Sequence, residues 1–404
     1  MILLSTLLCL LALSGLSQSI PVTRGTKGTF LRREAEIDGP SEYLHALVKK
    51  GINPTHPRAI PVEEHLRRRA AIAVPATLTN NLASYQAPIT VGGQNFLLDF
   101  DTGSPDLWVY STLMKDGSAG NHSVYDPTKS STAVTTQDSW EVQYNDGTVV
   151  NGVVFYDTVT VGGITITNQA VQAAVVATGR ILINPSDGVL GLSPAPNRIV
   201  PDVVPTTLDN LSNNSEMGAR LFTCALTRPN EPAGFFTFGY IDTELVGSDT
   251  PVYTPASSVH GYWEFASEFA EINGERVDRT GNTAYADTGT TLILIADDLL
   301  PLIYGPIGGF FDNYYQGWIF PSNVLVSDIP TVVLPVGNGV VTLNQGDLIT
   351  TIAQNETYVY GSIQSRGNTT FDVFGDYWLR NIYAIWDFGT TSEGLRFGFV
   401  PRAA

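Results

Sequence analysis

At 404 residues, with 43% hydrophobic and 15% charged side chains, the chain can build two folded lobes and is too apolar for wholesale disorder. Its net charge of −17 is unevenly spread: residues 1–70 carry ten Lys/Arg and six Asp/Glu, leaving 12 basic and 33 acidic residues for the rest. A body at −21 excludes unaided nucleic-acid binding, and frequent Gly, Thr and Val between turn signals predict mostly β structure.

Residues 1–19 run through Leu, Ala and Ser without a charged side chain. That stretch is too short for a membrane span and reads as a signal peptide, although no Lys or Arg precedes its apolar core. No later stretch is apolar enough to span a bilayer and no C-terminal anchor signal follows. The expectation is therefore a secreted, soluble, extracellular protein without a membrane anchor. Residues 20–70 read as a removable propeptide, basic, punctuated by Pro and ending in Arg67-Arg68-Arg69, a target for a basic-site processing protease. Cys9 leaves with the signal peptide, so Cys224 has no partner and reads as a small buried hydrophobe on a strand.

The folded body is expected from about residue 71. Its first hairpin is Ala87 to Val91, a turn at Gly92-Gly93, then Phe96 to Phe100. Directly after it comes Asp101-Thr102-Gly103-Ser104, followed by Leu107-Trp108-Val109-Tyr110. A second hairpin turns at Asn145-Asp146-Gly147 with Tyr144 at its rim, and a third at Gly162-Gly163. Asp187 to Leu192 is an apolar strand broken by glycines, and Thr206 to Asn213 reads as a helix. Near Leu221 a second lobe begins, dividing the body into residues 71–220 and 221–404. There Asn273-Gly274 marks another hairpin, and Thr283 to Ala286 leads into Asp287-Thr288-Gly289-Thr290. Phe371 to Asp376 then repeats the apolar-apolar-Gly pattern. Each half thus holds an Asp word and an apolar-Gly strand, an internal duplication at large spacing.

The duplicated word points to chemistry. Two Asp on equivalent loops face one another if the halves are related by a pseudo-twofold. At contact distance both cannot ionise easily, so they share one proton. The protonated member then serves as acid and the ionised one as base on a water between them. Gly103 and Gly289 let the loops approach and leave backbone N–H groups for the carboxylates. Ser104 and Thr290 offer hydroxyls to the outer oxygens, while Thr102 and Thr288 are placed to bond across the interface. Five sequons, at Asn121, Asn210, Asn213, Asn355 and Asn368, are glycosylation candidates that accord with secretion.

These motifs resemble the pepsin-family aspartic endopeptidases of the secreted fungal type, where shared-proton dyads are the established device. The likeness covers Asp101 to Val109, the flap around Tyr144, Asp187 to Leu192, Asp287 to Thr291, Val373 to Asp376 and Leu395 to Phe399. It runs from roughly Tyr85 to Val400. It implies a bilobal β fold of two pseudo-twofold lobes, with a cleft between them and a flap hairpin. Asp101 and Asp287 would be catalytic, and Tyr144, Asn145, Asp146 and Gly147 would form the substrate-covering flap, with Trp108 hydrogen-bonded to Tyr144. Ala46 to Gly51 lies where relatives carry an inhibitory Lys, which makes the propeptide an intramolecular inhibitor and the protein a zymogen. The implied activity is hydrolysis of polypeptides with hydrophobic P1 and P1′ residues, by a monomer without cofactor or metal. Asp146 adds the option of Lys at P1. Three departures stand out: no second-lobe disulfide, with Ser322 near one expected half-cystine; Asn145 where Gly commonly follows the flap Tyr; and a bulky Phe374 before Gly375.

Rival classes fit less well. A serine or cysteine hydrolase needs a His base, and only His122, inside a sequon, and His260 remain in the body. Asp99 and Asp101 share a strand face, but no third metal ligand is evident. A glycosidase using two carboxylates would not explain the Thr-Gly-Ser/Thr after each Asp. The remaining alternative is a catalytically inactive binding protein on the same fold.

Overall fold

The computed structural model describes residues 43, 46, 47, 49, 50, 78, 84–115, 118–143, 149–229, 231, 234–352, 357–389 and 394–402. The expected signal peptide 1–19, most of the expected propeptide 20–70 including Arg67-Arg68-Arg69, the expected flap tip Tyr144-Asn145-Asp146-Gly147 and Asn355 lie outside the described residues.

The expectation of a mostly β chain holds. The first half lays down β1 (Gln86–Val91), β2 (Gln94–Asp101), β3 (Leu107–Tyr110), β4 (Val134–Gln143), β5 (Val149–Val161), β6 (Ile164–Ala177), β7 (Gly188–Gly191) and β8 (Ile199–Val200). They form one sheet in the order β1-β2-β7-β3-β6-β5-β4-β8, and β1 pairs again with β5, which folds the sheet back on itself. The tight β1–β2 turn needs left-handed backbone, and Gly92 and Gly93 supply it at φ 55° and 77°.

A six-residue helix, Thr207–Ser212, leads out of this sheet. It begins where it does because Thr206 and Asp209 cap it reciprocally. From Leu221 onward the strands form four further sheets. Cys224 lies 1% exposed on Leu221–Ala225, consistent with a small core hydrophobe.

The duplication seen in sequence is also a duplication of topology. In the first half β7 inserts between β2 and β3, parallel to β2 (Asp101 opposite Gly191) and antiparallel to β3. In the second, Phe371–Phe374 inserts between Thr283–Ala286 and Ile293–Ile295, parallel to the first and antiparallel to the second. The glycine ending each inserted strand is there for close approach. A Cβ on Gly191 would lie 2.6 Å from the Ser104 carbonyl oxygen, and one on Gly375 2.2 Å from that of Thr290. Phe374 is accommodated by stacking on Trp378 at 4.8 Å between ring centroids. Asp372, fully buried on that strand, takes a bidentate contact from Arg279 (2.7 and 2.8 Å) and a third from Arg366 (2.8 Å). Such a buried triad holds its strand in place only while all partners remain.

Candidate active site

Asp101 closes β2 and Asp287 follows Thr283–Ala286, so each carboxylate leaves the end of a central strand. Both are buried, at 1% and 0% exposure. The two loops are built alike. The Gly103 N–H donates to Asp101 Oδ1 at 2.9 Å and the Gly289 N–H to Asp287 Oδ1 at 3.0 Å. Ser104 Oγ donates to Asp101 Oδ2, and Thr290 Oγ1 to Asp287 Oδ2 at 2.6 Å. The loops also interlock. The Thr102 N–H donates to Thr288 Oγ1 and the Thr288 N–H to Thr102 Oγ1, both at 3.1 Å. Each hydroxyl then donates onward, Thr102 to the Ala286 carbonyl at 2.9 Å and Thr288 to that of Phe100.

The carboxylates face across the interface. A Cβ on Gly103 would lie 2.5 Å from Asp287 Oδ1, and one on Gly289 2.2 Å from Asp101 Oδ1. Only residues without a Cβ fit there. All eight residues of the two words are thus brought together at one point.

Two lysines of the N-terminal segment, Lys49 and Lys50, fill that point. Lys49 Nζ lies 2.8 Å from Asp101 Oδ2 and donates to the Gly289 carbonyl at 2.5 Å. Lys50 Nζ lies 2.6 Å from Asp287 Oδ2 and donates to the Gly103 carbonyl at 3.2 Å. Each lysine therefore joins the carboxylate of one loop to the backbone of the other. Burial alone would push the Asp101 carboxyl up, but Lys49 and Lys50 together hold it below the usual carboxylate range. For the lysines, burial works against the charge and is outweighed by Asp101 and Asp287, so both ammonium groups are held more firmly than usual.

Two further carboxyls lie close by. Asp99, on the same strand face as Asp101, is pushed up to about 8 by burial, against the pull of Lys49. Asp376 is also pushed well up by burial, against the pull of Arg380. Each has one carboxyl oxygen with no hydrogen-bond partner, the surroundings of a neutral acid. The pairing of Asp99 with Asp101 at i, i+2 is visible in sequence, but its burial is not. Sequence reasoning also missed Tyr262 and Tyr285, which stack face to face at 4.1 Å beside Asp287; the Tyr two residues before Asp287 was the available signal.

Trp108 is buried, 2% exposed, against Trp140 and Tyr110. Its expected partner Tyr144, with Asn145, Asp146 and Gly147, lies outside the described residues; the strands flanking that tip do pair, Gln143 opposite Val149. Among the sequons, Asn121 and Asn213 are exposed, whereas half-buried Asn210 donates its amide to Gln169 at 2.8 Å. Asn368 is exposed. Neither body histidine adjoins the dyad loops: His122 stacks on Tyr110 at 4.2 Å and His260 pairs with Glu264 at 2.5 Å.

Comparison with known proteins agrees with this geometry. Residues 84–396 match the family described as eukaryotic aspartyl protease. The chain is 34% identical to penicillopepsin-3 of Penicillium janthinellum, covering 98% of each protein. It is 31% identical to aspergillopepsin-1 of Aspergillus fumigatus, covering 97% of each. Its fold also matches the crystal structure of an aspartic proteinase from Irpex lacteus, with a TM-score of 0.63 at 22% identity over 79% of this chain and 94% of that one. Near-full-length identity to fungal aspartic proteases, on a fold of the pepsin type, places this chain in the eukaryotic aspartyl protease family as an aspartic-type endopeptidase, a hydrolase.

Proposed function

We propose that this is an acid endopeptidase made as a secreted zymogen, with Asp101 and Asp287 activating one water for attack on the peptide carbonyl. In this reading residues 1–19 direct export, residues 20–70 are the propeptide, and residues 71–220 and 221–404 form lobes on either side of the cleft. The observation that carries it is the pair of lysines on the two carboxylates. Cations at that spot displace the water and fix both carboxylates as anions, so neither can serve as acid. Removal of the leader after Arg69 restores room for water and for one shared proton.

Catalysis then follows from the loop geometry. The ionised carboxylate takes a proton from the water as oxygen attacks the carbonyl, and the protonated one donates to the carbonyl oxygen. Fixed donors from Gly103, Ser104, Gly289 and Thr290 hold the carboxylates so that no reorganisation is needed at that moment. Substrates are polypeptides with hydrophobic side chains flanking the scissile bond. Asp146 on the flap adds an option at P1: a Lys lays its methylenes along the apolar wall and brings its ammonium to that carboxylate. The test is digestion of casein or haemoglobin at about pH 3–5 by acid-processed protein, with and without pepstatin. Pepstatin-sensitive digestion is expected; intact protein substrate after processing overturns the reading.

A further inference from the structure

The backbone of Asp287 is held by the strand beside it. Its N–H donates to the Phe374 carbonyl at 2.9 Å, and the N–H groups of Asp376 and Tyr377 donate to the Thr290 and Thr291 carbonyls at 2.8 and 3.1 Å. The strand Phe371–Phe374 thus frames the Asp287 loop from one side, in a parallel register that sets Asp372 opposite Ala284 and Phe374 opposite Ala286. Asp372 stands two residues before Phe374, about 7 Å away along a strand.

Asp372 anchors that strand through four hydrogen bonds, all to a fully buried carboxylate. Oδ1 accepts from Arg279 Nη2 and Arg366 Nη1, both at 2.8 Å. Oδ2 accepts from Arg279 Nη1 at 2.7 Å and from Asn282 Nδ2 at 3.2 Å. The donors come from both flanks. Arg279 and Asn282 lead into Thr283–Ala286, the strand that ends at Asp287. Arg366 follows Ile363–Ser365, and its backbone N–H donates at 2.8 Å to Ile295, on the strand along the other edge. Asn282 Oδ1 accepts from both arginines, at 3.0 and 2.6 Å, so the donors are tied to each other as well. In the first half Gly188 stands at the position matching Asp372. There Asp187, one residue earlier, pins the inserted strand by accepting the Leu97 and Ser123 N–H groups at 3.0 and 2.7 Å. Each half seats its inserted strand through a carboxylate, and only the second adds two arginines.

We propose that Asp372 is a positioning residue for Asp287: clamped by Arg279, Arg366 and Asn282, it seats the strand whose Phe374 carbonyl holds the Asp287 backbone, and so sets the spacing of the two catalytic carboxylates. The inference rests on the Asp101/Asp287 mechanism proposed above. The bidentate guanidinium of Arg279 fixes the direction of the Asp372 carboxylate as well as its distance. Without the clamp the strand shifts, and Asp287 follows the Phe374 carbonyl. The carboxylates that share one proton then move apart, and a misplacement of about 1 Å costs on the order of a hundredfold in rate. Substrate binding is spread along the cleft and changes little.

The test compares acid-processed wild type with Asp372→Asn, Arg366→Met and Arg366→Lys on one peptide substrate across pH. Asp372→Asn keeps the side-chain volume and removes the charge that both arginines hold. In it and in Arg366→Met, kcat is expected to fall about ten- to hundredfold, with KM changed by less than about twofold. The pH profile of kcat is expected to narrow, because its width reports how strongly one carboxylate's charge opposes ionisation of the other. Arg366→Lys, which keeps the cation and a donor, retains most of kcat and the wild-type width. Asp157→Asn is the control for lost stability alone. That carboxylate is also buried, accepts from Tyr125, Ser130 and the Thr158 N–H at 2.7, 2.9 and 2.7 Å, and adjoins the Gly92 turn, at the end of β2 away from Asp101. It is expected to melt lower with kcat and profile intact. A wild-type kcat or profile width in Asp372→Asn, or equal losses in Asp157→Asn, overturns the assignment. Should Asp372→Asn misfold, the Arg366 variants decide: a Met variant with wild-type kcat and width overturns it. Failure of the wild type itself to digest casein overturns the endopeptidase reading and this inference with it.

Discussion

Thr102 and Thr288 exchange hydrogen bonds, each backbone N–H donating to the other's hydroxyl oxygen at 3.1 Å across 186 residues of sequence. Both are buried, so neither N–H can turn to water if its acceptor is removed. The exchange fixes the two Asp loops to one another, and the onward bonds to Ala286 and Phe100 tie each loop to the opposite strand end. Thr102→Val removes the acceptor while keeping the shape. It is expected to cost about 1–3 kcal/mol of stability and to lower kcat more than it raises KM. Thr102→Ser, which keeps the oxygen, should recover most of both. Denaturant melts and steady-state kinetics on the three proteins check this, and a Val variant indistinguishable from wild type would show that the exchange is not needed.

Asp101→Asn and Asp287→Asn are each expected to abolish peptide hydrolysis and leave the fold intact. Each removes the shared-proton chemistry without changing side-chain volume, and each retains an oxygen for the Gly103 or Gly289 N–H. Turnover above a hundredth of wild type in either variant, a smaller loss than the about 10²–10⁴-fold expected on removing a general acid or base, would sink the two-Asp mechanism. Circular dichroism of the variants separates lost chemistry from lost structure.

Much of this arrangement was legible in sequence because its signals are local. Gly92-Gly93, Gly162-Gly163 and Asn273-Gly274 mark hairpin turns, and the structure turns at each of them. The support expected from Ser104, Thr290 and the two glycines follows from their spacing to each Asp. What stayed hidden depends on long-range pairing. Nothing near Asp101 announces that Gly191 will lie opposite it, or that Asp372 will meet Arg279 and Arg366. Sequence left open whether Lys49 or Lys50 would approach the carboxylates. The structure uses both, one for each Asp, which no spacing rule foretells.

The lysine pairs give the precursor a pH dependence whose sign is fixed. The Asp101 carboxyl is held below its ordinary value of 3.8 in the leader-bound state, with burial opposed by Lys49 and Lys50. Its contribution is complete above that ordinary value and is lost as pH falls through the lowered one. Lys49 and Lys50, held above 10.5, contribute fully at all lower pH. On the zymogen reading, the segment carrying Lys49 and Lys50 is therefore expected to be held tightly from about pH 5 to 10 and to be released in acid. Full-length precursor should be inert toward peptides at pH 7 and process itself, or become processable, on acidification. The double variant Lys49→Met, Lys50→Met should cleave peptide in a brief assay at mildly acidic pH, before wild-type precursor has been processed. Equal latency in the two proteins would remove the lysines from the inhibition.

Asp99 predicts an opposite slope in overall stability. Its carboxyl is pushed up to about 8 by burial, from an ordinary 3.8. Between those values the folded state keeps a proton that the unfolded chain has released. Stability from this group is complete below the lower value and falls as pH rises toward the upper one. Asp99→Asn mimics the neutral acid at every pH and removes that loss. The variant precursor should therefore melt higher than wild type near pH 7.5, with the gap closing toward pH 4. Asp376 is pushed up by burial and further by the Asp99 charge, so Asp99→Asn relieves part of that penalty too and widens the gap in the same direction. Melting temperatures across that range supply the readout. Parallel curves would mean that Asp99 ionises in the native protein as it does in the unfolded chain, and that its partnerless oxygen reaches solvent after all.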